Sequence, residues 1–162
     1  MFALILATAL SIAGLNLSTQ NLKGEPRMFP ADLAEKRAVV VVTFSKSASD
    51  EATEWTRKLR ENEKTLAAGI YQIAILENVP SLFRSLVISG LRRAIPKDLH
   101  DHFWIATSAS KEWQERIGSK FLDEAHVFVL EGRSQITWCF HGAFSEARLQ
   151  SLFEACSALK NQ

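Results

Sequence analysis

Seven residues in the first third of the chain constrain the fold more than any others. Residues 38–44 read Ala-Val-Val-Val-Val-Thr-Phe. Valine is stiff at its branched β-carbon and favours extended backbone. A strand with one wet face alternates apolar and polar residues, whereas this run is apolar on both faces. It therefore needs a layer packed above it and another below. It also carries no charge that would protect it as an edge. The run predicts a central strand, Val39–Val42 in its middle, in a sheet covered on two sides.

The rest of the sequence supplies the cover. After a polar turn at 45–50, Ala52, Trp55, Leu59 and Leu66 recur near helical period with charges between them. Ser47 and Asp50 resemble a capping box for that helix. Residues 70–76 form a second apolar strand. Val79, Leu82, Phe83, Leu86, Val87 and Leu91 follow at steps of three and four, with Pro80 in the first turn and Pro96 beyond the end. A third strand is predicted at 103–107 and a short helix at 111–117, stopped by Gly118. A hairpin joins 126–130 to 135–141, where Ile136, Trp138 and Phe140 alternate. Leu149, Leu152, Phe153, Cys156 and Leu159 mark a last helix.

Upstream, residues 16–21 read as polar linker. Residues 22–33 hold Gly24, Pro26 and Pro30 and read as one or two edge strands. Alternating strands and helices give an α/β sheet with helices on both faces. The closing hairpin and helix narrow this to a thioredoxin-like fold with a central mixed sheet of about five strands.

With 162 residues, one such domain is expected. Lysine and arginine number 19 against 18 acids, so no charge excess marks nucleic acid as a partner. Residues 2–15 are almost wholly apolar but short for a bilayer span. They suit the core of an export signal, with Ser11 and Ala13 as the small residues before a cut at Gly14. No Lys or Arg precedes the run, and an uncleaved anchor or a helix packed on the domain are the alternatives. The expected organisation is signal peptide 1–13, linker and edge strands 14–34, and the thioredoxin-like domain 35–162.

In this fold a redox thiol sits after the first central strand, at a helix N-terminus, where the helix dipole lowers its pKa. Here the place reads Phe44-Ser45-Lys46-Ser47-Ala48-Ser49-Asp50 and holds no cysteine. The turn before the hairpin, Glu124-Ala125-His126, lacks the fold's usual proline. We expect no thiol catalysis and no cofactor. The vacated loop, with Ser45, Lys46, Ser47, Ser49 and Asp50, and the adjoining turn at Ala125 and His126, is the candidate protein-binding surface.

Cys139 and Cys156 fall on a strand and on a helix stripe, where two small buried hydrophobes are expected and a disulfide is the alternative. His100 and His102 flank Asp101 at metal-ligand spacing, with His126 and His141 as further candidates, but a solvated strand entry explains them. Trp55, Trp104 and Trp138 take core positions, and Trp113, in a charged helix, is expected to be partly exposed. Arg92, Arg93 and Lys97 cluster at a helix C-terminus, where the dipole favours cations. The glycine pattern of a phosphate loop is missing around Gly118-Ser119-Lys120.

Gly-Arg-Ser-Gln-Ile-Thr-Trp-Cys-Phe-His-Gly at 132–142, followed by Ser145, Glu146, Leu149 and Leu152, resembles the mitochondrial ATP synthase assembly factor family ATP-ten. Trp55 and Ile95-Pro96 add to the likeness, which covers roughly residues 35–160. Thr137 stands where that family usually has arginine. The resemblance implies a thioredoxin-like core without redox cysteines and a role in assembly. The expected function is thus a non-catalytic protein-binding or assembly module, exported or membrane-associated. A thiol-dependent oxidoreductase of peroxiredoxin type and a metal-binding domain are the rival readings.

Overall fold

The strand containing the valine run is paired on both sides and covered on both faces. The computed structural model describes residues 10–117 and 120–159. In chain order the elements are β1 (Leu10–Ser11), β2 (Leu17–Asn21), β3 (Pro26–Phe29), β4 (Arg37–Thr43), a 3₁₀ turn (Lys46–Ala48), α1 (Ser49–Glu61), α2 (Glu63–Leu66), β5 (Gly69–Ile75) and α3 (Ser81–Ala94). A 3₁₀ segment (Lys97–His102), β6 (Phe103–Ala106), α4 (Ser110–Ile117), β7 (His126–Glu131), β8 (Gln135–His141) and α5 (Glu146–Ala158) complete it. One mixed sheet has the order β1-β8-β7-β4-β5-β6-β2-β3. β4 runs parallel to β5, with Val40 opposite Tyr71, and antiparallel to β7, with Val40 opposite Phe128.

Side chains on β4 alternate between two cores, as the period of a strand requires. Val39 and Val41 meet Trp55 and Leu59 of α1 and Leu149 and Leu152 of α5. Val40 and Val42 meet Tyr71, Ile73, Phe128 and Trp104, with Trp113 of α4 and Ile12, Leu17 and Phe29 of the N-terminal segment. Val39 to Val42 are all wholly buried. A third cluster, Leu22, Ala74, Phe103 and Ile105, lies under Val87, Ile88 and Leu91 of α3. Helices therefore lie on both faces of a thioredoxin-like α/β fold.

Four expectations need correction. Among the described residues the sheet has eight strands and not about five: β1, β2 and β3 join the other five, and residues 17–21, read as linker, are β2. Its inward positions are Leu17, Thr19 and Asn21, and two of the three are polar, which hid the alternation. Asn21 is nevertheless wholly buried: its Oδ1 accepts from the backbone N–H of Lys23 and Glu25, and its Nδ2 donates to Asp101. Trp113 is buried and not partly exposed, its ring 4.7 Å from that of Phe29. Ser47 and Asp50 form no capping box; no side chain caps α1. The helix formed by Leu82, Phe83 and Leu86 is present, but those three side chains face outward.

Residues 1–9, with most of the segment read as an export signal, lie outside the described residues. Its end belongs to the sheet. Leu10 and Ser11 pair with Ile136 and Gln135 of β8, the Ile12 N–H donates to the Ser134 carbonyl at 2.7 Å, and Ile12 is 1% exposed. Deleting residues 1–13 should therefore lower stability in urea melts by about 3 kcal/mol, one buried isoleucine plus strand hydrogen bonds. A truncated chain as stable as the full one would show this strand to be dispensable.

Candidate functional site

β4 ends at Thr43, and its continuation, Phe44, is still buried in the core. The chain then leaves the sheet. Ser45 is extended, Lys46–Ala48 make the 3₁₀ turn, and Ser49 starts α1. Ala48 is buried beneath the turn, while Lys46, Ser47, Ser49 and Asp50 are exposed and Ser45 is half-buried. Asp50 and Glu51 lie in the first turn of α1, where negative charge complements the helix dipole.

The second loop is brought alongside by hydrogen bonds. The Ser45 and Ser47 hydroxyls lie 2.7 Å apart, and Ser47 Oγ donates to Asp123 Oδ1 at 3.0 Å. The Glu51 carboxylate accepts from the Ala125 backbone N–H at 2.9 Å. The Ala125 carbonyl accepts from the Gly142 N–H, and the Gly142 carbonyl accepts from Trp55 Nε1, both at 2.9 Å. Both backbone groups of Ala125 are thus satisfied from within the chain. The structure places all seven sequence-singled residues at one end of the sheet, but in two layers. Five come from the β4–α1 loop and the first turn of α1, and Ala125 and His126 lie beneath, 0% and 5% exposed.

His126 anchors this floor. Its Nε2 lies 2.7 Å from the Phe121 carbonyl, and its ring stands edge-on to Phe44. Burial, aided by the neighbouring His141, pushes His126 below its ordinary pKa of 6.5, against an opposing pull from the Phe121 carbonyl. His141 donates from Nδ1 to Glu124 at 2.5 Å and stacks on Phe121. A cavity of about 120 Å³ opens beside these rings, lined by Ile117, His126, Phe128, Cys139 and His141 among others. Small-molecule sites start near ~300 Å³, so this space suits a few waters.

Cys139 and Cys156 are both free thiols. Cys156 is buried on α5, as expected. Cys139 is exposed, a correction: it sits on β8 opposite Phe128, between Trp138 and Phe140, which pack on the α1 and α5 side. His100 and His102 lie in the 3₁₀ segment. His100 is buried with Nε2 2.9 Å from the Ile95 carbonyl, and His102 faces Glu35. Among the described residues, no three His, Cys, Asp or Glu side chains are grouped to hold a metal ion.

A family model described as ATP10 protein matches residues 8–159. The chain belongs to the ATP10 protein family. No curated protein matches it. Solved structures resemble it in fold. A SCO1/SenC family lipoprotein of Bacillus anthracis superposes with a TM-score of 0.59 at 12% identity, over 90% of this chain and 93% of that one. A thio-disulfide isomerase of Thermus thermophilus gives 0.53 at 22% identity, over 86% and 92%. A thioredoxin-like protein of Porphyromonas gingivalis gives 0.53 at 15%, over 88% of each. Identity this low speaks for a shared fold alone. The ATP10 match extends across β1 to α5, so the N-terminal strands belong to the family's domain as well.

Glu51 was not singled out in the sequence, because an acid in a first helical turn already has a dipole to explain it. Its role as acceptor for the buried Ala125 N–H depends on a contact 74 residues away. Replacing Glu51 by Ala leaves that N–H without its partner and should cost about 2 kcal/mol in chemical denaturation, with Glu51→Gln costing less. His126 gives a pH dependence of known sign. Its folded pKa lies below its unfolded one, so the unfolded chain binds the proton more readily. Stability should hold above pH 6.5 and fall as pH drops below it. His126→Phe should flatten that part of the curve; an unchanged curve would exclude His126 as its source.

Proposed function

We propose that this chain is a thioredoxin-like assembly module that acts by binding protein and not by thiol exchange. One observation carries the reading. Where the fold keeps its redox thiol there is a serine-rich loop, tied by Ser47 to Asp123 in the segment before β7. A serine hydroxyl has no usable oxyanion near neutral pH and forms no disulfide. Neither cysteine lies in that loop. Lys46, Ser47, Ser49 and Asp50 form the exposed rim that meets the partner, with Ser45 behind them. Ala125 and His126 shape the floor.

The ATP10 family and the resemblance to ATP synthase assembly factors support a partner that is a subunit of a larger assembly. Placement at a membrane, on the exported side, is supported by the apolar sequence before β1. Because Ser11 and Ile12 belong to the folded body, we favour retention of that segment over a cut before Gly14.

Two measurements test this reading. Insulin disulfide reduction and peroxide consumption should not exceed those of the Cys139→Ala/Cys156→Ala variant. In the native state Cys139 should react readily with a thiol reagent, and Cys156 only on unfolding. Turnover that disappears on mutating Cys139 alone would return the protein to the oxidoreductases. Capture of its assembly partner from envelope fractions should fall at least about tenfold for Lys46→Glu/Asp50→Lys, since hot-spot losses exceed ~1.4 kcal/mol. Unchanged capture would move the binding surface elsewhere.

A further inference from the structure

α3 covers the sheet with only half of its surface. Val87, Ile88 and Leu91 pack on Ala74, Phe103 and Ile105, yet no residue of the helix is fully buried. On the outward side Leu82 is 82%, Leu86 66% and Phe83 53% exposed, the largest such group among the described residues. Leu82, Leu86, Ser89 and Arg93 follow one line along the outer face, at steps of four, three and four. Gly90 beside that line has open space over its Cα.

The helix itself carries charge of one sign. Residues 78–97 contain Arg84, Arg92, Arg93 and Lys97 and no acid, the exposed Asp98 following at the end, although the whole chain is balanced. The nearest acid in sequence before the helix, Glu77, accepts from the Ser110 N–H at the start of α4. Arg84 and Arg92 donate to backbone carbonyls, those of Val79, Glu77 and Leu22, which hold the guanidinium groups without neutralising them. Among the described residues none of the four cations makes an ion pair.

We propose that α3 docks on an anionic lipid surface, its Leu82–Phe83–Leu86 end entering the acyl boundary and its cations meeting headgroup phosphates. A helix that lies in an interface has this composition, apolar on one side with arginine and lysine at hand. A second copy of the chain fits poorly. A twofold interface would set four cations against four, and three apolar side chains fall far short of the ~20–30 residues a side of a stable protein interface. The inference rests on the membrane placement proposed above and is independent of the Ser45–Asp50 loop.

The test is co-sedimentation of the full chain with vesicles of phosphatidylcholine, with and without phosphatidylglycerol. Leu82 and Leu86 are exposed, so Leu82→Ser/Leu86→Ser should leave the thermal melt unchanged. That variant should lose at least about tenfold in partitioning to anionic vesicles. Arg93→Gln and Lys97→Gln should each lose roughly fivefold, and added salt should weaken binding. Lys46→Glu/Asp50→Lys should bind vesicles as the parent does. Loss of vesicle binding in the loop variant, equal binding to neutral vesicles, or full binding by the Leu82/Leu86 variant would each overturn the proposal. So would a concentration-dependent dimer that the Leu82/Leu86 variant abolishes, which would assign the face to a second copy. If partner capture stays loop-dependent while vesicle binding fails, the lipid inference falls and the protein-binding reading stands.

Discussion

Every side chain of β4 from Ala38 to Thr43 is buried, and the molecule is arranged around that fact. A strand in this position has no solvent face to absorb a register error. A one-residue slip would exchange Val39 and Val41 with Val40 and Val42, sending each pair into the other core. The two cores differ: one holds Trp55, the other Trp104, Trp113 and Phe29. The strand therefore fixes where α1 begins, and with it the position of the loop that follows. Arg37 secures its entry, bonded to Glu131 on the neighbouring strand and to the Leu66 carbonyl.

Two tryptophans show how burial and polarity are reconciled around this core. Trp55 is wholly buried, so its indole N–H needs a partner, and the Gly142 carbonyl supplies it. Gly142 has φ +116, a backbone state that L side chains rarely adopt, and there the chain turns from β8 toward α5. The same residue donates to the Ala125 carbonyl. One indole thus links α1, the end of β8 and the turn before β7. Trp138 is half-buried, and its N–H reaches Ser151 on α5, tying that helix to β8.

The pattern of strands and helices was legible in the sequence because it rests on local periodicity. β4, β5, β7, β8, α1, α3 and α5 all carry it. β2 was not legible, because Thr19 and Asn21 face inward and are made tolerable by partners distant in sequence. Asn21 is satisfied in part by Asp101, 80 residues away. The exposure of Cys139 was hidden for a related reason. It lies between Trp138 and Phe140, which pack on the α1 and α5 side, and what covers the opposite side of β8 is set by chain distant in sequence. The loop position followed from the fold, whereas its closure by Ser47, Asp123 and Glu51 depends on side chains meeting across 74 to 76 residues.

On the proposed reading, the Glu51 carboxylate on the Ala125 N–H bears on how a partner is held. An unpaired backbone N–H beside such a loop would be a docking point for an extended peptide, which offers a carbonyl to it. Here an intramolecular oxygen occupies that point, tethered one turn into a helix and so present at high local concentration. In the proposed mode an incoming main chain would have to displace it, exchanging a charged acceptor for a neutral one. Recognition in that mode would shift from backbone to side chains, toward partners with a surface matched to the proposed rim. A surface with that contact already taken is closed to main-chain docking at this point.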